Sequence, residues 1–214
     1  MKKTLITTLR NCNTSIEQYR QAADQLATVL AVECDTLFPK ATCFVDTPLA
    51  HTHGVCFKHE FVLVPILRSG LVLLPPFMRF HPGASIGFIG TRRDEKTAIP
   101  ELYYTKLPPF NQDNPILLLD PMIATGGSAA LSVQVLKAAG AVEKQITLIA
   151  FIASPDGIAR FQKECPDVGL VVAQVDEGLD EQKRILPGLG DFGDRYFGTS
   201  NEEKKDILDK CLHL

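Results

Sequence analysis

The chain has 214 residues, enough to bury a full core within one domain. Its 45% hydrophobic and 22% charged residues are those of an ordinary globular protein, and a formal charge of −3 gives no global attraction to nucleic acid or to an anionic membrane. Anionic substrates must therefore be met by local cations, which makes individual arginines informative. The six cysteines, at positions 12, 34, 43, 56, 165 and 211, show no C-x-x-C spacing and suggest reduced thiols in a reducing compartment.

Along the chain, Met1-Lys-Lys-Thr-Leu-Ile6 imitates a signal peptide, but Thr7, Thr8 and Arg10 break its apolar stretch. No run approaches the ~18 apolar residues of a membrane span, so a cytoplasmic location is expected. Thr14 and Ser15 each stand three residues before Glu17 and Gln18, the capping-box pattern. Ile16, Tyr19, Ala23, Leu26 and Leu30 then recur at helical spacing, an amphipathic helix. His51, His53, Cys56 and His59 form a zinc set by residue type, yet their spacing matches no standard site, and an exposed hairpin is expected there. Residues 61–67, 116–119, 146–152 and 169–175 are apolar runs, and 85–91 is a weaker strand candidate. Unbroken apolarity implies strands covered on both faces, hence an α/β fold with a mostly parallel sheet flanked by helices.

Residues 91–114 are different: polar, interrupted by prolines and without an apolar period. Such an excursion in a compact domain is a lid, a hairpin arm, a disordered segment or a solvated loop without function. A helix from about 128 to 139 stops at Gly140, Pro155-Asp-Gly157 opens another, and 201–212 reads as a polar C-terminal helix.

The most informative segment is the apolar run that ends in Asp120 and continues through Pro121, Met122, Ile123, Ala124, Thr125, Gly126, Gly127 and Ser128 into that helix. Strand, glycine turn and helix N-terminus together form a natural phosphate site, with Asp120 placed to accept hydrogen bonds from sugar hydroxyls. An ordinary βα turn is the alternative. A nucleoside-triphosphate P-loop is excluded, because Ser128-Ala129 stands where Lys-Ser/Thr is required. The literal G-x-G-x-x-G at Gly188, Gly190 and Gly193 lacks the strand, helix and distant acid of a dinucleotide fingerprint.

The segment 120–128 resembles the phosphoribosyl-diphosphate (PRPP) loop of the phosphoribosyltransferases, and most closely that of the uracil phosphoribosyltransferase family. Three further segments resemble that family in the same order. They are Val64-Pro-Ile-Leu-Arg-Ser-Gly-Leu71, Arg93-Asp-Glu-Lys-Thr97 with Tyr104-Thr-Lys-Leu-Pro108, and Ile185-Leu-Pro-Gly-Leu-Gly-Asp-Phe-Gly-Asp-Arg-Tyr-Phe-Gly-Thr199. Ser69, Val72, Arg184 and Phe192 depart from the commonest family pattern, the last two beside the base loop.

The resemblance implies one domain over 1–214, with a mobile arm at about 91–114 and a base-binding hood at about 176–200. It also implies a transfer from PRPP to uracil that yields UMP and pyrophosphate. Asp120 through Ser128 would bind PRPP, together with Arg68 on the pyrophosphate, Arg93 from the arm and Asp191 near the ribose. Arg68, Arg93 and Asp191 would carry catalysis. Ile185, Gly190, Asp191 and Phe192 would bind uracil, largely through main-chain groups. Mg²⁺ would arrive with PRPP rather than at a protein metal site, and a homodimer or higher homo-oligomer is implied. Two alternatives stay open: a transferase for another nucleobase, and a non-catalytic PRPP- or base-sensing regulator on the same fold.

Overall fold

The computed structural model describes residues 1–93 and 100–199, so the expected helix at 201–212 and the centre of the 91–114 excursion lie outside the described residues. The chain opens with helices α1 (Lys2–Arg10) and α2 (Ile16–Asp35). Of the two candidate caps before α2, Ser15 is the one used. Its Oγ accepts from the Gln18 N–H at 3.2 Å, and the Gln18 side chain accepts from the Ser15 N–H at 3.3 Å, a complete capping box. The strands β1 (Lys40–Asp46) and β2 (His51–Phe57) then pair antiparallel as a separate two-stranded sheet.

The central elements follow: β3 (Val62–Leu67), α3 (Leu74–Phe80), β4 (Ser85–Ile86), β5 (Phe88–Arg93), β6 (Pro100–Lys106), β7 (Ile116–Leu119) and β8 (Met122–Ile123). The chain continues through α4 (Gly127–Ala138), β9 (Ile146–Ala153), α5 (Pro155–Glu164) and β10 (Gly169–Val175) to β11 (Gly178–Leu179), β12 (Ile185–Leu186) and α6 (Phe192–Phe197). The main sheet has the order β10-β9-β7-β3-β5-β6, with β4 and β8 as short partners of β3 and β9. Every pairing is parallel except β5 with β6. This is the mostly parallel α/β sheet expected from the apolar runs.

Alternation along each strand divides the core in two. Leu63, Leu117, Leu119, Ile149 and Phe151 pack with α1, α2 and α3, whereas Val62, Val64, Ile116, Leu118, Ile146 and Leu148 pack with α4 and α5. Strand β10 departs from the expectation of full burial: its interior residues are half-buried, because it is an edge strand with one free flank. The excursion from residue 91 carries the antiparallel β5–β6 pair up to Lys106, and residues 107–114 follow it without strand or helix.

The β1–β2 hairpin also decides the zinc set. Its register puts Cys43, Gly54 and Cys56 on one face, and Phe44, His51 and His53 on the other, so one tetrahedral site cannot draw on both. His51 instead pairs with Asp46 and stacks on Phe44. At the opposite end of the molecule, the parallel strands β3, β7, β9 and β10 bring their carboxyl ends to one edge of the sheet. That edge receives Arg68, Asp120, Ser154 and Asp176.

Candidate functional site

The turn between β7 and α4 is held by main-chain bonds to its neighbours. The Asp120 N–H donates to the Ile149 carbonyl at 3.1 Å, and the Pro121 carbonyl accepts from the Phe151 and Ile152 N–H groups. The Ile123 carbonyl accepts from the Ser154 N–H at 2.9 Å, and the Ala124 carbonyl from the Ser154 hydroxyl at 2.6 Å. Gly126 has φ +74°, and a Cβ there would lie 2.6 Å from the Gly157 carbonyl, so both conformation and space require glycine. The turn therefore delivers Thr125–Ser128 to the N-terminus of the twelve-residue helix α4, whose first N–H groups and dipole favour an anion.

Asp120 is half-buried beside this turn, and its Oδ1 accepts from the Met122 N–H at 3.4 Å. Burial pushes its carboxyl up to about 7, with the Met122 N–H opposing the shift. At the first residue of α4, Pro100 and the Arg160 guanidinium both lie within 3.5 Å of the place a Cβ on Gly127 would occupy. The root of the β5–β6 hairpin thus stands next to the anion site. Arg160, which sequence reading did not single out, pairs with Glu164 at 2.7 Å.

The second wall is the loop from β12 to α6. Gly188 and Gly190 adopt φ of +62° and +79°, so the glycines of the false dinucleotide fingerprint are turn residues. Residues remote in sequence clamp this loop. The Asp176 side chain, fully buried, binds the Arg10 guanidinium and accepts from the Gly188 N–H at 3.0 Å, while Arg10 also donates to the Gly188 carbonyl at 2.8 Å. Arg195 donates to the carbonyls of Leu9, Leu189 and Asn11 and lies over the Tyr19 ring. Beneath the loop Phe192 is buried against Tyr19, Phe151 and Tyr196. Asp191 caps α6 by accepting from the Asp194 N–H at 2.8 Å.

Between the two walls is a cavity of about 440 Å³ lined by Ser69, Met122, Ala124, Lys183, Arg184, Ile185, Gly190, Asp191 and Phe192. All four residues expected around the base are here. Met122 and Ala124, expected on the PRPP side, line the cavity from the facing wall, and Asp120 and Thr125–Ser128 lie along the same stretch of chain as these two. Arg68, half-exposed, reaches to 4.0 Å from Asp194 and lies over the Phe197 ring. Arg92, the rival of Arg93, forms a cross-strand pair with Glu101 at 2.9 Å. Arg93 pairs with Pro100 through its main chain, and its side chain lies outside the described residues. Pro121 and Ile123 are buried and have their carbonyls engaged, which makes them braces of the turn.

Ser69, Lys183, Arg10, Asp176 and Arg195 were not legible as site residues. Ser69 was visible only as an unusual neighbour of Arg68, Arg195 only as part of the 185–199 segment without a role of its own, and Lys183, Arg10 and Asp176 have no local motif. The arrangement as a whole offers a helix N-terminus suited to an anion, a carboxylate able to accept from hydroxyls, a half-exposed guanidinium at Arg68 and a pocket with Phe192 in its lining.

The uracil phosphoribosyltransferase family model matches residues 1–199. A uracil phosphoribosyltransferase from Finegoldia magna is 43% identical over 195 residues, which are 91% of this chain and 92% of that one. The AQ2163 protein from Aquifex aeolicus, a solved structure, superposes with a TM-score of 0.87 at 31% identity, covering 94% of this chain and 95% of its own. An adenine phosphoribosyltransferase from Leishmania tarentolae superposes with a TM-score of 0.51 at 13% identity over 74% of each chain, a likeness of fold alone. With its phosphate turn, its base loop and nearly its whole length accounted for in this way, the chain belongs to the uracil phosphoribosyltransferase family, whose members are pentosyltransferases.

Proposed function

We infer that this protein transfers the 5-phosphoribosyl group of PRPP to uracil, forming UMP and pyrophosphate in pyrimidine salvage. The observation that carries the reading is the cavity in which the residues of the phosphate turn and of the base loop face each other. In the transfer, N1 of uracil bonds to the ribose anomeric carbon as the bond to pyrophosphate breaks. The leaving oxygen keeps the electron pair, and the N1 proton is released. Such a transition state has oxocarbenium character, so the protein's work is positioning and electrostatics rather than covalent catalysis.

The roles follow from placement. Thr125–Ser128 and the α4 N-terminus hold the 5′-phosphate, and Asp120 accepts from the ribose hydroxyls. Arg68 meets the pyrophosphate with its guanidinium fork. Arg93 approaches from the β5–β6 arm to close the site against water, a placement supported by the arm's root beside Gly127. Main-chain groups of Ile185 and Gly190–Phe192 read the uracil edge. PRPP enters as its magnesium chelate. Among the described residues no group of three or more acids, histidines or cysteines is placed to hold a metal ion, and Asp191 keeps one carboxylate oxygen beyond its capping bond for the chelate.

A homo-oligomer is supported by the β1–β2 hairpin, a two-stranded sheet apart from the main one that exposes Phe44, Leu49 and Val55. Among the described residues no helix is long and apolar enough to cross a membrane, and five cysteines are free thiols, which supports a cytoplasmic location. The decisive experiment is pyrophosphate release from PRPP and Mg²⁺ with uracil, cytosine, thymine, hypoxanthine, adenine or orotate. Release with uracil alone, with UMP formed, is expected. Release with a different base would reassign the pocket, and PRPP binding without turnover on any base would favour the sensing regulator.

A further inference from the structure

We propose that Lys183 is a specificity-determining residue of this site, donating a charge-assisted hydrogen bond to an exocyclic oxygen of the pyrimidine. The inference rests on the uracil reading above and adds a residue to it. Lys183 stands in the turn between β11 and β12 and lines the cavity together with Ile185, Asp191 and Phe192. It has φ +62° and is the one non-glycine residue with positive φ among the described residues. Side chains disfavour that conformation, and residues held there against local preference cluster at ligand sites.

Closing the turn does not require a lysine. Asp180 does that work. Its side chain accepts from the Arg184 N–H at 2.8 Å and from Arg184 Nε at 2.6 Å, and its carbonyl accepts from the Lys183 N–H at 2.9 Å. Glycine at 183 would satisfy the same backbone without strain. The neighbouring cation is already engaged, because Arg184 is tied to Asp180 and Gln182. Among the described residues the Lys183 side chain makes no hydrogen bond or ion pair, which leaves its three donors free to face the cavity.

The chemistry fits a pyrimidinedione. Main-chain groups of Ile185 and Gly190–Phe192 serve one edge of the ring, and the apolar floor at Phe192 serves its face. An ammonium at the rim suits a carbonyl oxygen and opposes the amino group of cytosine, donor against donor. As N1 loses its proton, charge spreads onto the ring oxygens, so the same contact strengthens along the reaction. A base whose ring is already electron-poor needs that help less.

The test is steady-state kinetics of the full chain with Mg²⁺ and PRPP, comparing wild type with Lys183→Gly, Lys183→Met and Lys183→Arg on uracil, 5-fluorouracil and cytosine. Expected in the Gly and Met variants is a fall in kcat/KM for uracil of about ten- to hundredfold, with KM for PRPP within about twofold. The loss should be smaller with 5-fluorouracil, and Arg should restore part of it. Lys183→Gly should also melt at or above the wild-type temperature, so that a kinetic loss is not a folding defect. Unchanged kcat/KM for uracil in both variants, or equal losses for uracil and PRPP, would overturn the assignment of Lys183 while leaving the activity in place. A wild type inert with uracil would overturn the activity and this contact together.

Discussion

The two walls of the site are built by opposite means. The phosphate turn is local: its carbonyls bond to β9 and to the start of α5, and its shape needs only glycine at 126. The base loop is tied to the other end of the chain, with Arg10 on Asp176 and Gly188, and Arg195 of α6 on the carbonyls of Leu9 and Asn11 as well as Leu189. A phosphate is the same ligand in many proteins, and a stock solution serves it. A base must be told from its analogues, and in the proposed site that task falls to a loop held by one long-range ion pair and by hydrogen bonds to distant carbonyls. Helix α1, which carries no site motif in the sequence, thereby braces the loop proposed to hold the base.

The largest expected effect is on that clamp. Asp176→Ala leaves the Arg10 guanidinium without its buried partner and frees the Gly188 N–H, at a cost of about 3 kcal/mol. Uracil KM should rise far more than PRPP KM, and Arg10→Ala should reproduce the split in weaker form, because Arg10 is partly exposed. Equal changes in both constants, measured by initial rates, would mean that the walls are not independent. Next is Gly126→Ala, which puts a Cβ against the Gly157 carbonyl and strains φ, for about 1–3 kcal/mol. Its kinetic signature should be the mirror image: PRPP KM up, uracil KM nearly unchanged.

Asp120 sharpens the comparison through pH. Its folded pKa, about 7, is above the ordinary carboxylate value, so its ionised form is disfavoured by folding. The stability it contributes is present at low pH and lost as pH rises through about 7, while the proposed hydrogen bonds from ribose hydroxyls call for the ionised form. PRPP affinity should therefore weaken as pH falls below 7. Asp120→Asn should melt higher than wild type at pH 8, by on the order of 1 kcal/mol, with no gain near pH 4, and should bind PRPP poorly throughout. An Asn variant that retains PRPP affinity would remove the hydroxyl-accepting role.

The same contrast explains what was legible from sequence. The phosphate turn, the parallel sheet and the Ser15 cap are written in contiguous residues, through apolar runs, glycines and spacings of three and four. The base loop's glycines were legible as turn residues, and the family resemblance pointed to Ile185 and Gly190–Phe192. The clamp was not legible, because Arg10, Asp176 and Arg195 meet across 166 and 186 residues of chain. The half-burial of β10 was missed as well: an edge strand and a central strand carry the same valines, and only sheet order distinguishes them. Lys183 escaped because φ is not encoded in a polar turn of Asp, Glu and Gln.

The smallest expected effect on the kinetic constants comes from a residue outside both walls, which serves as their control. His81 follows α3 at the opposite edge of the sheet, 5% exposed, stacked on Phe61 at 3.9 Å and tilted against Phe57. Neither ring nitrogen has a hydrogen-bond partner. Burial holds its pKa below the ordinary histidine value, although the Asp35 carboxylate pulls the other way. A buried imidazole that resists protonation gives stability that is present above about pH 6.5 and lost as pH falls below it, because the unfolded chain takes the proton first. His81→Phe keeps the ring stacking, removes two unpaired polar atoms and abolishes that acid limb. It should raise stability by about 1–2 kcal/mol at pH 7 and by more at pH 5, with KM for uracil and for PRPP both unchanged. Melting curves at the two pH values read the first effect and initial rates the second. A shift in either KM would show that the amino edge of the sheet communicates with one of the walls, and which constant moved would say which.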